Sequence, residues 1–438
     1  MNALRYENQL RSAVAEMGTR GRASADFEPA FELPEPTPEL AEYFAAANLR
    51  FAELGTAGRT RLTLLDLMGN PATRTVKTLA SLVIVARAVR HIRTTGERVL
   101  ILTPSSANKA TALRDAVLRA RAHGLVRHDE LRIVTVVPDV ARPKLWSSAL
   151  DDDPTSPMCV LDPANPEHVK TVAVEAMTGC AEDLYAHWGI RLWHTLDLAN
   201  YQCADTVRAF AEHAELPAAP GTTRVHAHAV SSAFGLLGHH YGTTLLPPSE
   251  PPRYLLVQHL ATPDMVCGLY GIEPPEYRFD PVSGLFHQDS EPHYPAVTYD
   301  PAEKLESTFY TRKPVTSPAM NELIRTYGGG GVVVSLRECL DRYGQIATLL
   351  ANAGVDLPAD PRSLREWSLV LAMTGVLNAI DRGLLDADEV VVHGSGSYSA
   401  ADYTPIPERS LRRVGDAADL RREIFTAAGA GLPSIRVA

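Results

Sequence analysis

The sequence has no Cys-x-x-Cys pair. Its five cysteines, Cys159, Cys180, Cys203, Cys267 and Cys339, are scattered and odd in number. Neither a structural zinc site nor a disulfide framework is therefore expected, and a reducing cytoplasm suits the chain. There is no HExxH-type motif, so no metal site is expected. The longest apolar run, Leu79 to Val89, is interrupted by Arg87 and is too short to span a bilayer. Met1 to Arg22 is charged and lacks the apolar segment of a secretion signal. No membrane partner is expected, and a cytoplasmic location is. A basic surplus is missing too. The formal net charge of -10 argues against a nucleic-acid partner.

What is present is enough apolar material for more than one core. With 438 residues and 45% hydrophobic content, the chain suits two domains. From about residue 60, β-branched runs alternate with helical segments. The expected strands are Val99–Thr103, Leu131–Val137, Met158–Leu161, Val225–Val230, Tyr254–Gln258, Gly331–Ser335 and Glu389–His393. Several are apolar throughout, as strands buried on both faces are. The expected helices are Thr75–Thr94, Asn108–Ala122, Pro166–Ala176, Asp205–His213, Leu336–Ala353 and Leu364–Arg382. Strand-helix alternation implies parallel sheets with right-handed crossovers. Residues 1–60, with helical periodicity over Tyr43–Leu54, are expected to form an N-terminal helical extension. Residues 243–253 and 274–302 read as loop insertions, and the His and Tyr residues of 286–299 as a lid or a dimer contact.

In parallel sheets, ligands bind at the carboxyl ends of strands. Four loops there are candidates. Gly69-Asn70-Pro71 is a turn leading to Lys77 in the first turn of an apolar helix. The helix dipole disfavours a cation there and lowers the amine pKa, as a covalent-catalysis lysine requires; a solvated surface lysine is the alternative. Thr103 to Lys109 places small residues and Asn108 at a helix start, where N–H groups are exposed, although plain N-capping explains it as well. Val230 to Gly235 is a small-residue loop able to wrap a phosphate, or an ordinary strand-helix turn. His393-Gly394-Ser395-Gly396 follows the last strand, where glycine permits close approach to a ligand or simply a tight turn.

In order and spacing these four loops resemble those of the pyridoxal-phosphate (PLP) enzymes of fold type II, the tryptophan synthase beta-like family, and within it the threonine synthases. Asn70, Pro71, Val76 and Lys77 resemble the Asn-Pro-x-x-Ser-Phe/Val-Lys motif, with one extra residue between proline and lysine. Ser106-Ala107-Asn108 stands where the family has Ser/Thr-Gly-Asn. Ser231 to Gly235 stands at the glycine-rich phosphate cradle, and His393 to Gly396 at the Thr-Gly-His-Gly turn. Asn200 to Thr206 loosely resembles the segment before the cradle, and Arg312 to Ser335 an Asn-Pro-x-x-Trp stretch with its following strand.

The resemblance implies two parallel-sheet α/β domains: a large PLP-binding domain from 61–95 and 215–438, and a smaller one from 96–214. It implies PLP as cofactor, held covalently by Lys77, which also takes the Cα proton of an amino-acid substrate. Asn108 would meet the ring hydroxyl, Ser231, Ser232, Ala233, Phe234 and Gly235 the phosphate, and His393 or Ser395 the pyridine nitrogen. Thr103, Ser105, Ser106 and Ala107 would bind substrate. The implied chemistry is β- or γ-elimination or replacement by a lyase or transferase, in a homodimer. The alternatives are threonine synthase proper, acting on O-phosphohomoserine, and a PLP-less relative serving as a binding or partner protein.

Three further features read more plainly. Gly328–Gly331 precedes a strand and reads as a turn. His239-His240 reads as helix surface or helix end, because adjacent residues do not share a helix face. Asp151-Asp152-Asp153 reads as a solvated charge run.

Overall fold

A computed structural model describes residues 3–20, 26–162 and 166–432. The chain forms two compact units. The first collects Leu49–Gly69 and Asp205–Asp402, and the second Asn2–Asn48, Asn70–Ala204 and Tyr403–Ala438.

The first unit is built on a six-stranded sheet. Its order is Arg50–Ala57, Thr60–Asp66, Glu389–Gly394, Arg224–Ala229, Arg253–His259 and Gly329–Val334. The first two strands are an antiparallel hairpin and every other pairing is parallel. Helix Ser368–Asp381 is buried from Leu369 to Ala379. It lies so close to the sheet that a Cβ on Gly375 would meet Val257 Cγ1 at 2.4 Å. Gly329 opens a strand at φ +118, and a Cβ there would sit 2.0 Å from the Tyr254 carbonyl oxygen. Gly329–Gly331 is thus strand rather than turn, and at Gly329 the glycine is a strand-pairing requirement.

The second unit has a five-stranded, wholly parallel sheet. Its order is Leu411–Val414, Met158–Leu161, Leu131–Pro138, Arg98–Pro104 and Ile190–His194. Leu131–Pro138 and Met158–Leu161 are buried at every position, the pattern expected of strands covered by helices on both faces. Helices Lys77–Thr95 and Ala417–Gly429 belong to this unit, the latter packing Leu420, Ile424 and Ala427 onto the sheet. Among the described residues, no helix is long and apolar enough to cross a membrane.

All seven expected strands are present, within parallel sheets. Several expectations fail in detail. Residues 1–60 are not purely helical: helix Pro38–Phe44, capped by Thr37, ends before a strand begins at Arg50. The apolar positions of 43–54 have helical spacing only because a helix and a strand follow one another there. The compact units also divide elsewhere than at 61–95/215–438 and 96–214. Residues 70–95 lie in the second unit, and so does the chain after 402, because Leu411–Val414 pairs with Met158–Leu161. Residues 274–302 carry a small antiparallel sheet of Arg278–Asp280, Leu285–His287 and Val297–Thr298. Asp151 and Asp153 are not solvated: both carboxylates are 8% exposed, paired with Arg114 and Arg121.

Candidate functional site

In the second unit, the lysine loop is pinned by Asn70. This side chain is buried; it accepts from the Ala72 N–H at 3.1 Å and donates to Asp115 Oδ2 at 2.9 Å. The Asn70 carbonyl accepts from the Thr73 and Arg74 N–H groups, and Arg74 takes φ +46. Helix Lys77–Thr95 then starts on Lys77 itself, which is half-buried, with no side-chain cap. Lys109 lies near enough for its amine to feel the Lys77 charge. Burial, then the charges of Lys170 and Lys77, bring its pKa down to about 7.

The next loop is held open by a serine. Ser105 Oγ accepts from the N–H groups of Ala107, at 3.1 Å, and Ala110, at 3.0 Å. Thr103 is buried and accepts from Thr195 Oγ1 at 3.0 Å. Two of the three expected substrate-binding hydroxyls, Thr103 and Ser105, are therefore engaged within the unit, while the third, Ser106, and Asn108 are half-buried at the helix start. Ala107 sits at φ +131, ψ −65, a region of backbone space that a Cβ makes costly. The chain has kept the backbone of a glycine without the glycine. Ala107→Gly should therefore raise stability by about 1 kcal/mol, read as a higher urea midpoint at unchanged slope. An unchanged or lower midpoint would show that the conformation is not strained.

In the first unit, Ser231 is exposed and Ser232 half-buried, the carbonyl of Ser232 accepting from Thr316 Oγ1 at 2.5 Å. Ala233 takes φ +49 and caps helix Phe234–Thr244 without a side-chain bond. The first N–H groups of a helix have no partner within it, so this start favours an anion. Beneath it lies a residue that the sequence reading missed. The Arg208 guanidinium, 1% exposed, packs so close to Gly235 that a Cβ there would lie 2.3 Å from Nη2. Arg208 donates through Nε and Nη2 to Asp205 Oδ1 at 2.8 and 2.7 Å. Its Nη1 lies 3.0 Å from His393 Nδ1.

His393 is fully buried. Its Nε2 lies 3.1 Å from His226 Nδ1. His226 Nε2 is 3.4 Å from Glu212 Oε1, and His239 Nε2 is 2.7 Å from Glu212 Oε2. His239 Nδ1 meets the Tyr254 hydroxyl at 2.9 Å. His239 is therefore interior, contrary to the surface reading, although His240 does face elsewhere. One nitrogen from each of His226, His239 and His393 lies within 4.8 Å of the others, a spacing open to a metal ion. Arg208 decides otherwise. Arginine can only donate, so His393 Nδ1 accepts and its Nε2 carries the proton. His226 Nδ1 must then accept, and its Nε2–H points to Glu212. Each nitrogen of this line is committed, and a metal on His393 Nε2 would have to displace the proton shared with His226 while Arg208 still holds Nδ1. By contrast, Ser395 Oγ is buried without a hydrogen-bond partner. It is the residue of this turn left with polar capacity to fill.

The signal for the histidine line was in the sequence. Val225-His226-Ala227-His228 sets two histidines on one face of a strand buried on both sides. No comparable signal marks Arg208.

The chain belongs to the family described as "Family of unknown function (DUF6002)", whose model matches residues 1–428. No curated protein matches it by sequence. Among solved structures, it is similar to threonine synthase from yeast, at 10% identity and a TM-score of 0.56, covering 90% of this chain and 84% of that one. PLP-bound threonine synthase from Brucella melitensis gives 14% and 0.55, covering 90% and 85%. A hydrogen sulfide-producing enzyme from Fusobacterium nucleatum gives 11% and 0.50, covering 84% and 100%. At these identities the likeness is one of fold, and the fold is that of the type II enzymes.

Proposed function

We propose that this DUF6002 protein binds pyridoxal 5'-phosphate through Lys77 and catalyses β- or γ-elimination or replacement on an amino acid. One observation carries the reading. Among the described residues, four non-glycine residues have positive φ, namely Arg74, Ala107, Ala233 and Lys313. Three of them stand in the lysine loop, the asparagine loop and the phosphate loop. Strain of this kind persists where surrounding structure enforces it, and it clusters at ligand sites.

The residues present fit the cofactor. In the second unit, Lys77 would hold it covalently and Asn108 would offer an amide to its hydroxyl. In the first unit, Ser231 to Gly235 would take the phosphate at a helix start. The Arg208 charge beneath Gly235 stands in for the glycines that the loop lacks. The unpartnered Ser395 hydroxyl would face the pyridine nitrogen, in place of His393. When bound, the cofactor supplies the electron sink for the bond cleavages at Cα and beyond. The chain's own part is to orient the substrate and move one proton. Lys77, once released, takes it from Cα. Lys109, near neutrality, keeps a second amine able to exchange protons at working pH. Ser395 would offer the cofactor a neutral partner there, which would suit elimination and replacement.

The purified protein should be yellow, should bleach with borohydride, and should then carry the adduct on Lys77 by peptide mass spectrometry. Lys77→Ala should be colourless and should lose activity at least about a thousandfold. A protein that stays colourless with added pyridoxal phosphate overturns the reading. An adduct on Lys109 would transfer the role to that lysine.

A further inference from the structure

The carboxyl ends of the first unit's strands carry Ser231 to Gly235 and Ser395. The amino ends carry something else. A cavity of about 490 Å³ lies between segments 216–224 and 249–253, which lead into strands Arg224–Ala229 and Arg253–His259. Its volume falls in the range of small-molecule sites, roughly 300–1,000 Å³. Leu216, Pro217, Ala219, Pro251 and Pro252 give it apolar walls. Glu212, His226 and His239 form its polar floor.

The floor has a definite polarity. The Glu212 carboxylate is 15% exposed. It accepts from Arg224 Nη1 at 2.7 Å and from His239 Nε2 at 2.7 Å, with His226 Nε2 at 3.4 Å. A carboxylate offers about four lone-pair sites, so one acceptor position is left beside these three donors. Arg224 is not Glu212's alone. Its Nε and Nη2 both reach Glu389 Oε2 at 2.7 Å, so one guanidinium serves two carboxylates. Arg61 also pairs with Glu389, from a side chain 53% exposed, where water screens it, and the other charged lining residues, Glu250 and Arg253, are exposed and of opposite sign. Neither imidazole adds charge near neutral pH: the line from Arg208 makes His226 a neutral donor, and burial keeps His239 neutral there. Amid apolar walls, an anionic oxygen with an acceptor site left over selects a cation.

We propose that this cavity is a binding site for a small organic amine, its ammonium on Glu212 and its apolar body against Leu216 and the prolines. The site rests on the first unit alone and does not depend on Lys77 or on pyridoxal phosphate.

Titration calorimetry of the full chain with benzylamine, cyclohexylmethylamine and isoamylamine tests it, with the matching alcohols and benzoate as probes of charge. At least one amine should bind saturably, one per chain. It should bind at least about tenfold more tightly than its alcohol, a difference of about 1.4 kcal/mol, and benzoate should not compete. Glu212→Gln should erase that preference. Because this change also disturbs buried neighbours, Ala219→Trp provides a second test, filling the cavity from an exposed position and abolishing binding in a folded protein. Lys77→Ala should bind the amine unchanged. Equal affinity for amine and alcohol, no saturable binding of any amine, or binding that survives both cavity variants overturns the proposal.

Discussion

Arg208→Met should destabilise the protein by about 3–5 kcal/mol, the usual effect of removing one partner from a buried ion pair. The side chains of Arg208 and Asp205 are 1% and 8% exposed. Methionine fills much of the same space, so the loss is electrostatic. Asp205 would be left charged in the interior, and His393 Nδ1 would lose its donor. Removing both charges together is a different matter. Asp205→Leu with Arg208→Met should recover most of the loss, since a buried pair and an apolar pair of similar volume are often close in energy. Urea unfolding of the two variants tests this; a single-variant loss below about 1 kcal/mol would mean that the pair is not buried as described.

The protein should lose stability as pH falls from 7 to 5, before its carboxylates titrate. Burial holds the His239 pKa down to about 4, with Glu212 opposing the effect. Burial likewise holds His259 at about 4. His393 is pushed below the ordinary histidine value by burial and by Arg208. In the unfolded chain these rings titrate near 6.5. Between that value and 4 the unfolded state binds more protons, so stability falls as pH falls. His239 and His259 should each remove on the order of 3 kcal/mol by pH 4. Glu212 works in the same direction at lower pH. Burial alone would raise its pKa, but His226 and His239 more than offset this and hold it well below 4.5. Glu303 and Glu338, raised by burial, oppose the trend near their own titration. Urea midpoints at pH 7, 6 and 5 should decline stepwise, and His239→Gln should flatten part of the slope. A midpoint constant from pH 7 to 5 would contradict the assignment of neutral buried rings.

The strands were legible where burial was two-sided. Met158–Leu161 reads as a continuous apolar run because it is buried at every position, and Asn108–Ala122 matched its helix to the residue. Leu411–Val414 was missed because it lies at the sheet edge with Arg412 and Arg413 turned outward, leaving only two apolar positions to read. Ile190–His194 was missed for a similar reason, with Arg191 and His194 breaking its run. The candidate loops were legible from their order along the chain. What the residues in them do was less so. Ala107 and Ala233 hide their loops from any search for glycine, since only the backbone shows the conformation retained. The burial of His393 was not legible, because Gly-Ser-Gly after it suggests an open turn while its ring lies among Arg208 and His226. Arg208 was invisible, because an arginine on a helix is ordinarily at the surface, and only Asp205 and the smallness of Gly235 permit it inside.

The row from Arg208 to Glu212 has a fixed polarity. Passing a proton along it would leave two donors facing each other at Arg208, which has no lone pair to offer. A relay that cannot reset at one end does not conduct. The row acts as an insulator: it separates the floor of the amine cavity from the loops at the other edge of the same sheet, so that ionisation on one side is not transmitted as a mobile proton to the other.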